Sequence, residues 1–164
     1  MEYHVKTAPT PKSYFMNGRD FCETAWRSFG GREGKSVENG VINWLPVPTV
    51  VNAAFACEMH LKSLLLLEGK PVPKGREGHN LKVLFESLSE KMQIDVSTFC
   101  MPKNTPNALE AFLNILGHHK SDFTDIRYFI ENNGWQAMSP LTMLTIAENL
   151  TTITHALIDA KNKE

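Results

Sequence analysis

The 164-residue sequence has few cysteines, and their spacing excludes the common uses of paired thiols. Cys22, Cys57 and Cys100 are odd in number and far apart, without the CxxC pair typical of zinc and redox sites. The residues after Met1 lack the apolar core of a secretion signal, so nothing indicates an oxidising compartment. Reduced thiols in a cytoplasmic protein are therefore predicted.

The sequence also lacks an excess of charge and a long uninterrupted apolar run. Its formal net charge is −1 at pH 7, so binding to nucleic acid or to an anionic membrane would need a local patch. The longest apolar stretch, 50–67, is interrupted by Glu58, His60 and Lys62, whereas a membrane span needs about 20 apolar residues. We therefore predict a soluble protein that does not contact a membrane.

What is present is the composition of an ordinary folded domain. Hydrophobic residues make up 42% of the chain and charged residues 21%, which excludes the highly charged regime of disordered proteins. A chain of this length normally builds one hydrophobic core. The sequence predicts one domain over 1–164, with a flexible tail at 1–12 and a long loop rich in glycine and proline at 30–48.

Apolar residues recur at steps of three and four along most of the chain, and no segment alternates with period two. This pattern predicts an all-α, up-and-down bundle of five or six helices, with antiparallel neighbours where the loops are short. The predicted helices span 13–29, 50–68, 78–92, 106–116, 122–132 and 140–158.

Residues that favour helix ends support several of these boundaries. Thr49 is the predicted N-cap of the second helix, and Thr105 with Pro106 predicts the start of the fourth. Ser139 and Pro140 predict the start of the last helix in the same way.

No motif predicts a metal ion or another cofactor. His118 and His119 are adjacent, and neighbouring residues on a helix point in different directions, so they are better explained as polar residues at a helix C-terminus. Cys22 and Cys57 lie in apolar segments and are predicted to be buried structural thiols. Cys100, in a predicted linker, stays open as a reactive thiol.

A cluster of polar residues is the candidate functional site. Glu58 and Lys62 are spaced i, i+4 and can form an ion pair along one helix face. His79 follows a glycine at a predicted helix start, and Arg127 and Tyr128 belong to a different helix. These residues can meet only if their helices pack antiparallel.

The residues around this cluster resemble a known family. The segment ACEMHLKSLLLLEGKPVPKGREGHNLKVLFESL at 56–88, together with DFTDIRYFIE at 122–131, is similar to the HEPN superfamily of small helical proteins. The resemblance covers about half of the chain. It implies the helical fold, a homodimer and an association with toxin–antitoxin pairs, and Trp44, Trp135 and Met138 are candidate residues for the dimer surface.

Many HEPN proteins are metal-independent ribonucleases with an arginine followed, after four to six residues, by a histidine on one helix. The sequence departs from that pattern, because no arginine has a histidine at this distance, and His79 follows Arg76 by only three residues. Without such a pair, an arginine that stabilises the transition state and a histidine that transfers protons are not held together. A non-catalytic protein is therefore favoured.

Two interpretations of the polar cluster stay open. In one, Glu58, its cation and His79 form a structural network. In the other, a cleft binds phosphate groups and bases, and its candidate residues are Lys62, Arg76, His79, Arg127 and Tyr128.

Three functions follow from these interpretations. The leading hypothesis is a non-catalytic HEPN-like domain that binds RNA, a nucleotide or a protein partner. The alternatives are a divergent ribonuclease or nucleotide-transfer protein that uses His79 and Arg127, and a purely structural interaction module.

Overall fold

Helices build the part of the chain that the computed structural model describes, residues 8–31, 37–38, 41–42, 45–118 and 140–163. The prediction of an all-helical protein is confirmed there, apart from a two-residue antiparallel ladder between β1 (Val37–Glu38) and β2 (Val41–Ile42). The helices are α1 (Pro11–Ser28), α2 (Pro46–Leu67), α3 (Leu81–Glu86), α4 (Glu90–Cys100), α5 (Ala108–His118) and α6 (Pro140–Lys161), with a 3₁₀ segment at Gly75–His79.

Helix α2 is the centre of the fold. It packs against α1, α3 and α6, and Leu61, Leu64 and Leu65 are fully buried. On the far side of the core, α5 contacts α3 and α4, and Phe112 from α5 meets Phe85 from α3 edge to face, with ring centroids 4.9 Å apart. A helix that is apolar on most of its circumference is stable only when neighbours cover it on several sides.

Contacts along α2 define the directions of its neighbours. The ring of His60 lies against Gly18, and one turn later Ser63 Oγ donates to the carbonyl oxygen of Pro11 at 2.7 Å, so α1 runs antiparallel to α2. His60 Nε2 lies 2.8 Å from Thr151 Oγ1, and further along, Lys161 Nζ donates to the carbonyl oxygen of the last α2 residue. Helix α6 therefore runs parallel to α2.

The first two helices begin earlier than the sequence predicts. Thr10 and Ser13 form a reciprocal capping box, so α1 begins at Pro11, inside the predicted tail. Helix α2 begins at Pro46, and the prediction of Thr49 as its N-cap is wrong because the Thr49 hydroxyl donates to the carbonyl oxygen of Leu45 from within the first turn. Proline is tolerated in a first turn, whose amides have no helical partner.

The single helix predicted at 78–92 is two helices. Helix α3 ends at Glu86, and Ser89 caps a new helix, α4, by accepting a hydrogen bond from the amide of Met92. Helices α3 and α4 both bury apolar residues at helical spacing, so the sequence of the two together predicts one continuous helix.

The fourth helix also begins later than predicted. Asn104 and Asn107 have positive φ angles of 70° and 49°, so the backbone between them is a turn and α5 begins at Ala108. Thr105 does not cap the helix, because its hydroxyl donates to the carbonyl oxygen of Pro102 at 2.7 Å. The predicted start of the last helix at Pro140 is confirmed, and the helix predicted at 122–132 lies outside the described residues.

Helix α2 is long and apolar enough to cross a bilayer by composition alone. Two thirds of its most apolar window, 67%, is buried inside the protein, which is the environment of a core helix in a soluble protein. It is the single helix of this kind among the described residues.

Candidate functional site

A buried carboxylate organises the candidate site. The Glu58 side chain is 4% exposed, and one of its oxygens accepts a 2.6 Å hydrogen bond from Lys62 Nζ, four residues further along α2. The i, i+4 spacing predicts this pair, but its burial comes from the packing of α2 inside the bundle. Because both charges are withdrawn from water, removal of either partner would leave a buried unpaired charge, which typically destabilises a protein by about 3–5 kcal/mol.

The second carboxylate oxygen of Glu58 holds His79 from another segment. His79 Nδ1 lies 3.2 Å from Glu58 Oε2, and the imidazole is 49% exposed to solvent. A carboxylate accepts hydrogen bonds, so this contact places a proton on Nδ1. Glu58 thus ties the 3₁₀ segment to α2 and orients a half-exposed histidine.

A close backbone approach brings His79 to this position. A Cβ atom at Gly78 would lie 2.5 Å from the carbonyl oxygen of Pro73, so the chain can fold back on itself there because residue 78 is glycine. Gly75 has a φ angle of 61°, in the left-handed region that glycine adopts without strain. The glycines between Pro71 and His79 are therefore structural requirements of the loop.

An open pocket of about 530 Å³ lies beside the Glu58 network. Lys62 and His79, which are seventeen residues apart in the chain, both line it. The remaining wall comes from the loop after α2, including Pro71, Pro73 and Lys74, and from the start of α1. Sites for small molecules commonly have volumes of about 300–1,000 Å³.

The structure brings together part of the predicted site. Lys62 and His79 share the pocket, whereas Arg76 is exposed and is not part of the wall. Arg127 and Tyr128 lie outside the described residues, so their approach to His79 stays a prediction.

Two pocket residues whose side chains can bind a ligand, Tyr14 and Lys74, were not predicted from the sequence. Tyr14 lies in the first turn of α1, and Ala8 and Pro9, which the sequence assigns to a flexible tail, line the pocket next to it. No local pattern connects this tyrosine to a histidine sixty-five residues later. Lys74, in contrast, lies within the segment 56–88 that resembles HEPN proteins, five residues before His79, so the sequence could have suggested it.

The charges of the pocket have unequal environments. The charge of Lys62 is balanced by Glu58, which lies nearly out of solvent, whereas Lys74 is exposed on the loop. An anion in the pocket would therefore find its most accessible positive charge at Lys74, with the imidazole of His79 as a hydrogen-bonding group nearby.

The cysteines do not extend the site. Cys22, Cys57 and Cys100 are all buried, as predicted for the first two. The alternative of a reactive thiol in a linker is wrong for Cys100, which ends α4 and whose burial raises its pKa to about 12. Among the described residues, no three His, Cys, Asp or Glu side chains are grouped to hold a metal ion.

His118 lies where the sequence predicts, in the last turn of α5. Its Nδ1 is 2.6 Å from the carbonyl oxygen of Asn114, one turn earlier in the same helix.

We compared the chain with protein-family models, curated proteins and solved structures, and none of them matches it.

Proposed function

We propose that the protein is a non-catalytic HEPN-like domain that binds a phosphate-bearing ligand, RNA or a nucleotide, in the pocket beside Glu58. The observation that carries the proposal is that Lys62 and His79 line one open pocket of about 530 Å³ together with Lys74. Phosphate oxygens accept hydrogen bonds from a lysine ammonium group, and an imidazole whose Nδ1–H donates to a carboxylate can donate to them from Nε2 only as the imidazolium.

Each group has a separate part in this proposal. Lys74 provides the accessible charge, because it is exposed and lines the pocket. This local charge is needed because the chain as a whole, with a formal charge of −1, has no long-range attraction for an anion. Glu58, which is paired with Lys62, orients the histidine at the pocket wall.

Titration with adenosine monophosphate and with a short single-stranded RNA tests the proposal. The Lys74→Ala variant should bind about 10- to 150-fold more weakly, because a hydrogen bond to a charged group contributes roughly 1.5–3 kcal/mol. Lys91→Ala is the matched control, since Lys91 is an exposed lysine at the start of α4, away from the pocket. Equal affinity of both variants and the wild type for these ligands would contradict the proposal.

The pair of Glu58 and His79 favours a second candidate, a divergent metal-independent ribonuclease or nucleotide-transfer protein that uses His79 with Arg127. A carboxylate that fixes the histidine tautomer is a common feature of general bases. Incubation of mixed RNA with the wild type and with His79→Ala distinguishes the candidates, because cleavage that disappears in the variant would favour the enzyme.

Glu58 binds both Lys62 and His79, as expected of a network that only stabilises the fold. This observation favours a third candidate, a structural interaction module that contacts another protein. In that case His79→Ala should lower the melting temperature and leave titrations with nucleotides and RNA at the same baseline as the wild type. Under the leading proposal, His79→Ala weakens ligand binding as well.

The cellular setting completes the proposal. We propose a cytoplasmic homodimer associated with a toxin–antitoxin pair, as the resemblance to HEPN proteins implies.

A further inference from the structure

The pocket beside Glu58 has an aromatic wall that the phosphate-binding groups do not explain. Tyr14, half-buried in the first turn of α1, lines the pocket together with residues of the loop after α2. Pro71 and Pro73 line the same pocket, and their rings are rigid and apolar. The wall therefore offers surfaces suited to a planar ring.

The polar groups of the pocket are few. Lys74 directly precedes the 3₁₀ segment, and His79 is its last residue. The ammonium group of Lys62 is already hydrogen-bonded to Glu58. This set can satisfy one phosphate group, whereas a track for a long nucleic-acid strand needs a charged groove with successive aromatic platforms. Tyr14 is the single tyrosine, phenylalanine or tryptophan among the described residues that line the pocket.

We propose that the pocket takes one nucleoside phosphate unit, with its base against Tyr14 and its phosphate beside Lys74 and His79. This inference rests on the proposed binding of a phosphate-bearing ligand and assigns its size and its base-contacting residue. The unit could be a free mononucleotide or the terminal nucleotide of an RNA strand, because both present the same ring and phosphate.

Calorimetric titration of the full chain with adenosine monophosphate, ribose 5-phosphate and adenosine tests the assignment. Stacking of one base on an aromatic ring changes affinity by about 5- to 150-fold, so ribose 5-phosphate should bind more weakly than adenosine monophosphate by that factor. Adenosine should also bind more weakly, because it lacks the phosphate. Equal binding of adenosine monophosphate and ribose 5-phosphate would overturn the role of the base and leave the phosphate proposal standing.

Variants of Tyr14 provide the second measurement. Tyr14→Phe should keep the affinity for adenosine monophosphate, whereas Tyr14→Ala should lower it by about 5- to 150-fold. Phe99→Ala is the matched control, because Phe99 is 47% exposed on α4 and does not line the pocket. An unchanged affinity of Tyr14→Ala, with its helical circular dichroism intact, would show that Tyr14 is not the platform.

Two RNA probes distinguish a terminal nucleotide from a strand interior. A linear oligonucleotide with a terminal phosphate and a circular oligonucleotide of the same sequence differ only in their ends. Binding of the linear form with a salt slope of about −0.7 to −1.4, the value for one or two phosphate contacts, supports a single unit. Equal binding of the circular form would overturn it, and failure of all nucleotide and RNA probes would overturn the phosphate proposal as well.

Discussion

Helix α1 approaches α2 at Gly18 more closely than a side chain would allow. A Cβ atom there would lie 2.7 Å from Cε1 of His60, whose ring is fully buried. From the sequence alone this glycine looks like a weakness of the helix, because glycine is about 1 kcal/mol less favourable than alanine in a helix interior. The packing of the histidine ring is the reason for its presence, and no local pattern could show it.

A pair of glycine substitutions tests this explanation. Gly18→Ala should lower the free energy of unfolding by roughly 1–3 kcal/mol, because the ring of His60 is confined and overpacking outweighs the gain in helix propensity. Gly117→Ala in α5 is the matched control. Its Cβ atom would meet Lys82 Cδ at 3.7 Å, an ordinary contact, so it should stabilise the protein by up to about 1 kcal/mol.

Urea denaturation of both variants measures the two effects. A stabilising Gly18→Ala substitution would mean that α1 and α2 can separate at this point.

His60 is a buried polar group within the apolar core. The hydroxyl of Thr151 donates to the carbonyl oxygen of Ala147 and therefore accepts from His60 Nε2, while His60 Nδ1 has no hydrogen-bond partner among the described residues. Burial lowers the pKa of His60 from 6.5 to about 4, so the imidazole stays neutral in the folded protein at physiological pH.

This difference in pKa predicts how stability changes with acidity. The unfolded chain binds a proton at His60 near pH 6.5, whereas the folded protein does so only near pH 4. Protonation therefore favours unfolding as the pH falls through this window, and His60 should lower the free energy of unfolding by about 3 kcal/mol between pH 6.5 and pH 4. Above pH 6.5 its contribution should be constant.

Urea denaturation of the wild type and of His60→Gln at several pH values measures the effect. The variant should show a smaller decrease between pH 6.5 and pH 4, whatever its stability at neutral pH. His155→Gln is the control, since His155 is 60% exposed. Parallel curves for the wild type and His60→Gln would contradict the prediction.

Among the elements, α3 and α4 are separate helices because of polar contacts at Ser89. The apolar spacing of the sequence gives no sign of these contacts. Ser89 caps α4, and its hydroxyl and amide both donate to the carboxylate of Glu68, which follows α2. Burial acts to raise the pKa of Glu68, but the hydrogen bonds from Ser89 and the charge of Lys70 outweigh it and hold the pKa below its usual value. The chain therefore turns between α3 and α4, where Ser89 binds the carboxylate of Glu68.

Removal of the Ser89 hydroxyl tests this link between elements. Ser89→Ala should lower the free energy of unfolding by about 1–2 kcal/mol at neutral pH, because it removes an N-cap and a hydrogen bond to a carboxylate. The loss should shrink in acid, because a carboxylate with a lowered pKa contributes stability above the unfolded pKa and loses it as the pH falls.

Thermal denaturation of Ser89→Ala and Ser87→Ala makes the comparison. The Ser87 hydroxyl donates to a carbonyl oxygen of α3, so its loss should have the smaller effect. Equal melting temperatures of the two variants would contradict the role of Ser89.

At the scale of the whole molecule, the prediction to test in solution is the oligomeric state. A homodimer is what the resemblance to HEPN proteins implies, and the proposed surface residues Trp44, Trp135 and Met138 lie outside the described residues. Sedimentation equilibrium at tens of micromolar should give about twice the chain mass of 18.5 kDa. A monomer under those conditions would remove the dimer from the proposal.

Local patterns were sufficient for the three longest helices and for part of the site. Apolar spacing identified α1, α2 and α6, because a helix must bury one face wherever it packs, and the i, i+4 spacing identified Glu58 with Lys62. Their ends were less predictable, because a proline or a threonine has different roles before and inside a first turn.

The pocket depends on contacts between residues that are far apart in the chain. Tyr14 lines the same pocket as Lys74 and His79 because α1 packs antiparallel on α2, and the histidine is oriented by a carboxylate twenty-one residues earlier. Periodicity along the chain carries no information about which faces of two helices meet. Only the packed bundle could therefore bring these groups to one opening.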